Sequence, residues 1–346
     1  MKGRLDGTGF ILWLGLIGLF FGAWLPQSQA ATEVLVAQKQ AVYFKNNENR
    51  RQVDLSAQLP QHNPHLVKVT LDFSLQCPEG RCDAWDRFGT FGIVEASGRY
   101  LELFRFMTPY GIGSHWTADL SDFLPLLEGN QTFRIFIDTW VGPGHPQGNG
   151  WLVTANLRFE EGDEEQRAIF VQPLLSLEEI VYGDPLKATR RERSLDVLPR
   201  SGSARLHTLI TGHGQGNAEN CAEFCPKYHS LSLAGQSFQQ KIWRDNCATS
   251  VDSQQHGNYR PSRAGWCPGA QVEPWIVDLG RESKQSQSSQ EAMSFAFQYD
   301  VEAFVNSCRP DAPRCEACVF GTSCQYDGGF HTEARYFVSS YLIYRP

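Results

Sequence analysis

Between Val67 and Leu75 the chain alternates strictly: Val67, Val69, Leu71, Phe73 and Leu75 are apolar, and Lys68, Thr70, Asp72 and Ser74 between them are polar. A period of two sends successive side chains to opposite faces of an extended ribbon, so this stretch is expected to be a strand with one face buried and one in water. Similar strand-like runs lie at Arg99 to Phe106, Phe133 to Trp140, Trp151 to Phe159, Ser294 to Tyr299 and Tyr336 to Tyr344, separated by Gly, Pro and Asn turns. Helical periodicity is scarce, and Asp119 to Leu127 is the best candidate for a helical turn. Many strands joined by loops point to an all-β chain of antiparallel sandwiches or jelly rolls.

At 346 residues the chain is long enough for two domains, each with its own core. The acidic run Glu160-Glu161-Gly162-Asp163-Glu164-Glu165 follows a strand-like run and precedes a new apolar segment, Ala168 to Leu175. It is the expected boundary, giving domains 31–163 and 164–346; the competing reading is a solvated hairpin inside one domain. The polar stretch Lys187 to Arg205, rich in Arg and Ser, is expected to be a surface connection, and no internal repeat is evident.

The first 30 residues have the pattern of a secretory signal: Lys2 and Arg4, then a mostly apolar stretch from Phe10 to Leu25, then Ser28-Gln29-Ala30 as a cleavage site. The mature chain is expected to begin near Ala31 and to be secreted or periplasmic, an uncleaved anchor being the alternative. All ten cysteines lie beyond this segment, so disulfides rather than reactive thiols are the default. Without Lys2, Arg4 and Asp6 there remain 29 basic and 37 acidic residues, a net charge of −8. That balance argues against a nucleic acid or an anionic membrane as partner. Nine Trp and 12% aromatic residues fit a carbohydrate-facing surface and a β-rich core equally well.

Two cysteine pairs are very closely spaced. Cys221-Ala222-Glu223-Phe224-Cys225 can close only as a tight turn, because a disulfide needs Cα atoms about 4.4–6.8 Å apart, and such a turn is expected to present Glu223 outward on a stiff mount. Cys77 and Cys82 form the second pair, followed at once by Asp83-Ala84-Trp85-Asp86-Arg87. Taken singly, Asp86 or Glu223 reads as an ordinary surface carboxylate or turn cap.

Taken together with Ser262-Arg-Ala-Gly-Trp-Cys-Pro-Gly269, these two motifs, in the same order, resemble the secreted bacterial peptide:N-glycosidase F family. The resemblance runs from about Val67 to the C-terminus, takes in Arg105-Phe-Met-Thr-Pro-Tyr110 and Asp138-Thr-Trp140, and is weak between Leu175 and Leu206. It implies two antiparallel eight-stranded jelly rolls packed side by side, with the active site in the cleft between them. It also implies hydrolysis of the amide that joins an asparagine side chain to the first N-acetylglucosamine of an N-glycan, leaving aspartate. By resemblance Asp86 and Glu223 match the family's catalytic aspartate and glutamate, and Asp138 stands where the family has a third carboxylate, a glutamate. Substrate contacts are implied for Asp83, Trp85, Arg87, Trp140, His213, Gln215, Arg263 and Trp266. On their own, Arg263 and Trp266 read as a packed Trp with a snorkelling Arg, and Trp140 as core filling or a sugar platform. The implied substrates are N-glycoproteins or N-glycopeptides, with no cofactor and no metal, acted on by a monomer that has no membrane contact after signal cleavage.

This sequence departs from the family pattern in two places. Asp138 is one methylene shorter than the family's glutamate, and where geometry is critical a misplacement on the order of 1 Å can cost about 100-fold. Thr211-Gly-His213-Gly-Gln215 stands where the family shows Gly-Trp-Gly-His, so a polar pair replaces an apolar platform. Cys247 and Cys267 match a third family disulfide. Cys308, Cys315, Cys318 and Cys324 fall outside the pattern, in an expected Cys-rich insertion near 305–328; they allow three disulfide pairings, or a tetrahedral zinc site.

The sequence lacks the marks of several other functions. A copper monooxygenase on paired jelly rolls needs clustered histidines, and the nine here show no His-x-His. The zinc-protease signature is absent, and a cysteine amidase needs a free thiol. A secreted, non-catalytic glycan-binding module of the same fold is the alternative from another class, motivated by the changes at Asp138 and His213.

Overall fold

The computed structural model describes residue 3 and residues 31–196, 202–281, 294–321, 323–326 and 331–346. The expected signal segment, apart from Gly3, lies outside the described residues, within which no helix is long and apolar enough to cross a membrane.

The first half of the chain runs through nine strands: β1 (Thr32–Lys45), β2 (Glu48–Arg50), β3 (Gln52–Gln58), β4 (Leu66–Gln76), β5 (Phe88–Val94), β6 (Tyr100–Met107), β7 (Ser114–Asp119), β8 (Asn130–Ile137) and β9 (Trp151–Glu161). They form two antiparallel sheets, ordered β2-β1-β9-β4-β7 and β3-β8-β5-β6. The second half contributes β10 (Phe170–Val181), β11 (Arg191–Asp196), β12 (Ser203–His213), β13 (Lys227–Leu233), β14 (Gln236–Ile242), β15 (Trp275–Arg281), β16 (Ser294–Val301) and β17 (Arg335–Arg345). Its sheets are ordered β10-β17-β12-β15 and β11-β16-β13-β14. The molecule is therefore nearly all-β, two jelly-roll sandwiches of open antiparallel sheets, with β2 a three-residue extension of the first.

Strand β4 behaves as its alternation requires. Val69, Leu71, Phe73 and Leu75 are buried while Lys68, Asp72 and Gln76 are exposed. Phe73 packs against Phe91, Phe104, Phe106 and Trp116, and burial of an aromatic of this size is worth about 1.5–3 kcal/mol. The helical periodicity at Asp119 to Leu127 is realised as a 3-10 helix, Ser121–Leu126, which contains Pro125. Arg191–Asp196, expected to be part of a surface connection, is instead an edge strand paired with β16. Its polar character follows from that edge: Leu195 is drawn into the core while Glu192, Arg193 and Ser194 are exposed.

Two buried ionic clusters join the sandwiches. Arg105 on β6 is fully enclosed; it donates from Nε and Nη2 to Glu102 at 2.7 and 2.6 Å, and from Nη1 across the junction to Thr211 Oγ1 at 3.0 Å and the Phe337 carbonyl at 2.8 Å. Ser339 also donates to the Glu102 carboxylate, and the Tyr341 hydroxyl donates to the Glu102 carbonyl at 2.7 Å. The second cluster centres on Asp122, which meets Arg205 at 2.7 Å, Arg345 at 2.8 Å and His207 at 3.0 Å, all three from the second sandwich. A small apolar cluster of Met107, Leu209, Trp266 and Val272 fills the junction beside them.

Burial alone would raise the Asp122 pKa, but His207, Arg345 and Arg205 bring it down to about 2. A carboxyl depressed on folding stabilises the fold above its unfolded pKa and loses that contribution as pH falls towards the folded value. Asp122→Asn is accordingly expected to cost about 2 kcal/mol at neutral pH. In denaturant unfolding measured against pH, the gap between variant and parent should close between about pH 4 and pH 2; a gap that persists at the acid end would remove the ionic explanation.

Candidate active site

Asp86 lies in the loop between the Cys77–Cys82 disulfide and β5, and the preceding Asp83 shapes that loop. Asp83 is fully buried and accepts from its own Trp85 N–H at 3.0 Å, from Arg87 Nε at 2.7 Å and from Thr139 Oγ1 at 2.7 Å. An aspartate bonded to the N–H two residues on makes a local turn, and its ion pair with Arg87 fixes the far end. Asp86 is left at the junction of the sandwiches, its side chain 18% exposed.

Glu223 comes from the other sandwich. The Cys221–Cys225 disulfide closes its turn at a Cα separation of 5.0 Å, and the Ala264 N–H donates to the Glu223 carbonyl at 2.9 Å. The staple was expected to present the carboxylate outward; instead the side chain is only 15% exposed and is held from two sides. The Gly214 N–H donates to Oε2 at 3.2 Å and Arg263 Nε to Oε1 at 3.3 Å.

Arg263 joins the two carboxylates. Its Nη2 lies 3.9 Å from Asp86 Oδ2, while Nη1 and Nη2 donate to the carbonyls of Pro261 at 2.8 Å and Asn258 at 2.6 Å. The guanidinium stands over the rings of Trp266 and Phe224, 4.8 and 5.1 Å from their centroids. Bonds to two carbonyls and contacts with two rings fix its plane, so the cation is preset rather than recruited. Trp266 itself is buried and donates from Nε1 to the Gly212 carbonyl at 2.7 Å.

Burial acts on both acids in the same direction. Burial raises the Asp86 pKa, opposed by Arg263, by a hydrogen bond from Tyr110 and by Arg87. Burial pushes Glu223 up to about 7, against the pull of Arg263 and with the Asp86 charge adding to the rise. Tyr110, which bonds Asp86, is buried, and Gly257 packs flat on its ring: a Cβ there would lie 2.1 Å from Tyr110 Cδ1.

The remaining residues expected at the site divide into groups. Asp138 and Trp140 lie just past the end of β8, where the strand-like run had been expected to continue. Asp138 is half-exposed and paired with Arg51 at 3.0 Å, and the Arg51 guanidinium stacks on Trp140, 4.0 Å from its centroid. Burial raises the Asp138 pKa while Arg51 and Arg87 oppose it. Trp85 and Trp140 each expose about half their surface, 49% and 50%. His213 sits in an aromatic cage, stacked on Trp266 and edge-on to Phe88, and burial lowers its pKa to about 3, so it is neutral. Gln215 lies in the adjoining loop, where its N–H donates to Thr332 Oγ1 at 3.0 Å. Of the residues with implied substrate contacts, Asp83, Arg263 and Trp266 are enclosed; Asp83 holds Arg87, and the Arg263 guanidinium lies over Trp266.

All ten cysteines are paired, the last four as Cys308–Cys318 and Cys315–Cys324. These four sulfurs lie within 4.8 Å of one another, and both pairs are oxidised. Arg51 carries no signal in the sequence, and Thr139 was visible only inside the matched Asp138-Thr-Trp140 stretch. Tyr110 was visible only as the last residue of a matched stretch.

The like charge on Asp86 contributes to the raised Glu223 pKa, so Asp86→Asn is expected to lower it from about 7, and Arg263→Met to raise it. A carbon-13 NMR titration of labelled glutamate side chains reads both shifts; an unchanged Glu223 in Asp86→Asn would show that the two carboxyls are not coupled.

The family model "Peptide-N-glycosidase F, N terminal" matches residues 91–159 and the model "Peptide-N-glycosidase F, C terminal" matches residues 182–305. The peptide-N(4)-(N-acetyl-beta-D-glucosaminyl)asparagine amidase F of Elizabethkingia miricola is 26% identical over 250 residues, 67% of each chain. Solved PNGase F from Flavobacterium meningosepticum superposes with a TM-score of 0.73 at 22% identity, covering 91% of this chain and 96% of that one. PNGF-II superposes with a TM-score of 0.67 at 16% identity, over 91% of this chain and 65% of that one. Matched over more than half its length by the two models of one family, and folded as solved PNGase F is, the chain belongs to the peptide-N-glycosidase F family.

Proposed function

We propose that the protein is a secreted or periplasmic amidase that cleaves the bond between asparagine and the first N-acetylglucosamine of N-glycoproteins or N-glycopeptides, converting the asparagine to aspartate. The observation that carries this reading is the meeting of Asp86 and Glu223, one from each sandwich, on the single guanidinium of Arg263. Amide hydrolysis needs a nucleophile at the carbonyl carbon and a proton for the departing nitrogen, and two carboxyls in unlike environments divide those tasks. Asp86 acts at the linkage. Glu223, with a pKa of about 7, orients and activates water, and its protonated and ionised forms are both populated near neutrality. Arg263 neutralises charge that develops between them. Trp85 and Trp140 offer indole surface for sugar rings, with Asp138 and Arg51 beside Trp140. Asp83 and Trp266 act through the residues they hold, as positioning residues. No cofactor enters this scheme.

Incubation of the mature chain with a denatured N-glycoprotein, followed by mass analysis of the former glycosylation site, decides between readings. Aspartate supports the amidase; an intact glycosylated asparagine favours a glycan-binding module; free asparagine sinks both. Asp86→Asn is expected to lower kcat by at least about 100-fold in a folded protein, and near-parental turnover would refute its role. With Glu223 acting on water in its ionised form, kcat/KM should rise as pH passes upward through about 7, and that inflection should be missing from Glu223→Gln.

A further inference from the structure

Asp252-Ser-Gln-Gln-His-Gly-Asn258 of the second sandwich is a polar stretch in which Asp252, Ser253, Gln254 and His256 are exposed, whereas Gln255 is buried. It lies inside the loop closed by the Cys247–Cys267 disulfide, and its turn opens with the Gln254 N–H donating to Asp252 Oδ1 at 2.8 Å. A glutamine is tolerated inside only when its amide is satisfied, and here both ends are. Nε2 donates to the carbonyls of Asp252 and Pro268, both at 3.0 Å, and Oε1 accepts from the Tyr110 N–H of the first sandwich at 3.2 Å.

The same loop grips Tyr110 elsewhere as well. The Tyr110 carbonyl accepts from the His256 N–H at 3.2 Å, and the ring lies against Gly257, where a Cβ would come within 2.1 Å of Cδ1. Gly257 is not in the left-handed region, so the ring, not the main chain, leaves no room for a side chain there. On the other side the Gly111 N–H donates to the Asp83 carbonyl at 3.0 Å, which holds Tyr110 between this loop and the turn that carries Asp86. A residue bonded through its donor and its acceptor, with its ring wedged, has little freedom in where its far end points.

That far end is the hydroxyl bonded to Asp86. Burial and the Asp86 charge raise the Tyr110 pKa, so the phenol keeps its proton and donates. Arg263 and Arg87 are the cations acting on Asp86, and Glu223 is the facing acid. Arg263 keeps the Pro261 carbonyl and the rings of Trp266 and Phe224 as supports that do not involve Gln255.

We propose that Gln255 is a positioning residue of the Asp86–Glu223 site, one that aims the Tyr110 hydroxyl at Asp86 from across the junction. For its catalytic meaning this rests on the amidase reading; the aiming itself does not.

The test reads Asp86 directly, by a carbon-13 NMR titration of labelled aspartate side chains in the mature chain, with Asp86 assigned from its loss in Asp86→Asn. In Gln255→Ala the Asp86 midpoint should move to higher pH, because the bond from Tyr110 is one of the interactions that hold it down. Gly257→Ala, which presses on the ring and leaves the Gln255 side chain intact, should move it the same way. Tyr110→Phe should reproduce the shift, and adding Gln255→Ala to it should change nothing more. Asp122, in the ionic cluster of the same junction, serves as control and should keep its parental signal in each variant. An Asp86 midpoint unmoved in both loop variants, a Gln255→Ala shift that persists in Tyr110→Phe, or Asp122 moving together with Asp86 would overturn the proposal. On a denatured N-glycoprotein, kcat of Gln255→Ala should fall about tenfold with KM within about twofold, and parental kcat in an active enzyme would overturn it too. A parent without turnover removes the amidase reading and leaves the titration to decide on Gln255, whereas an unmoved Asp86 in an active parent removes Gln255 and leaves the amidase.

Discussion

The enclosed pair of Arg105 and Glu102 is the constraint on which the rest of the molecule depends. Both side chains are fully buried and both come from the first sandwich, yet their remaining hydrogen-bonding capacity is met by Thr211, Phe337 and Ser339 of the second, and Tyr341 of the second bonds the Glu102 main-chain carbonyl. A buried charge is tolerable only when every donor and acceptor finds a partner, so a slide of one sandwich against the other would strand several at once. The junction thereby gains a single register, which apolar packing of Met107, Leu209, Trp266 and Val272 would not specify by itself.

That register is what brings Asp86 and Glu223 to one guanidinium. Neither sandwich alone contains the site: the first supplies Asp86, Tyr110 and Arg87, the second Glu223 and Arg263. Burial raises both acids, and their surroundings oppose it with different groups. Asp86 has two arginines and a tyrosine hydroxyl against its desolvation, whereas Glu223 has one arginine and one backbone N–H and feels the Asp86 charge as well.

How much of this was legible in the sequence depended on how each element meets water. β4 was plain because one of its faces is wet, so its alternation survives in the residue string. β12 was not, because from Leu206 to Gly212 every residue is buried, Thr208 and Thr211 included, and no period of two can be read there. β11 was hidden for the opposite reason, as an edge strand whose side chains mostly face solvent. At the site, the two short cysteine pairs flagged the turns carrying Asp86 and Glu223, since closely spaced cysteines announce local geometry. The pairing of Arg51 with Asp138 spans 87 positions and leaves no local pattern. Burial was equally illegible: Asp83 and Asp86 sit three residues apart, yet one is an enclosed strut and the other reaches the junction.

The contact of Arg51 with Trp140 ties the indole to its neighbours. The guanidinium stands 4.0 Å from its centroid and Phe44 packs at 5.4 Å, while half of the side chain stays exposed. That cation polarises the indole and is itself tethered to Asp138. The carboxylate, the cation and the ring thus form one connected unit, so a change at position 138 reaches the indole through Arg51.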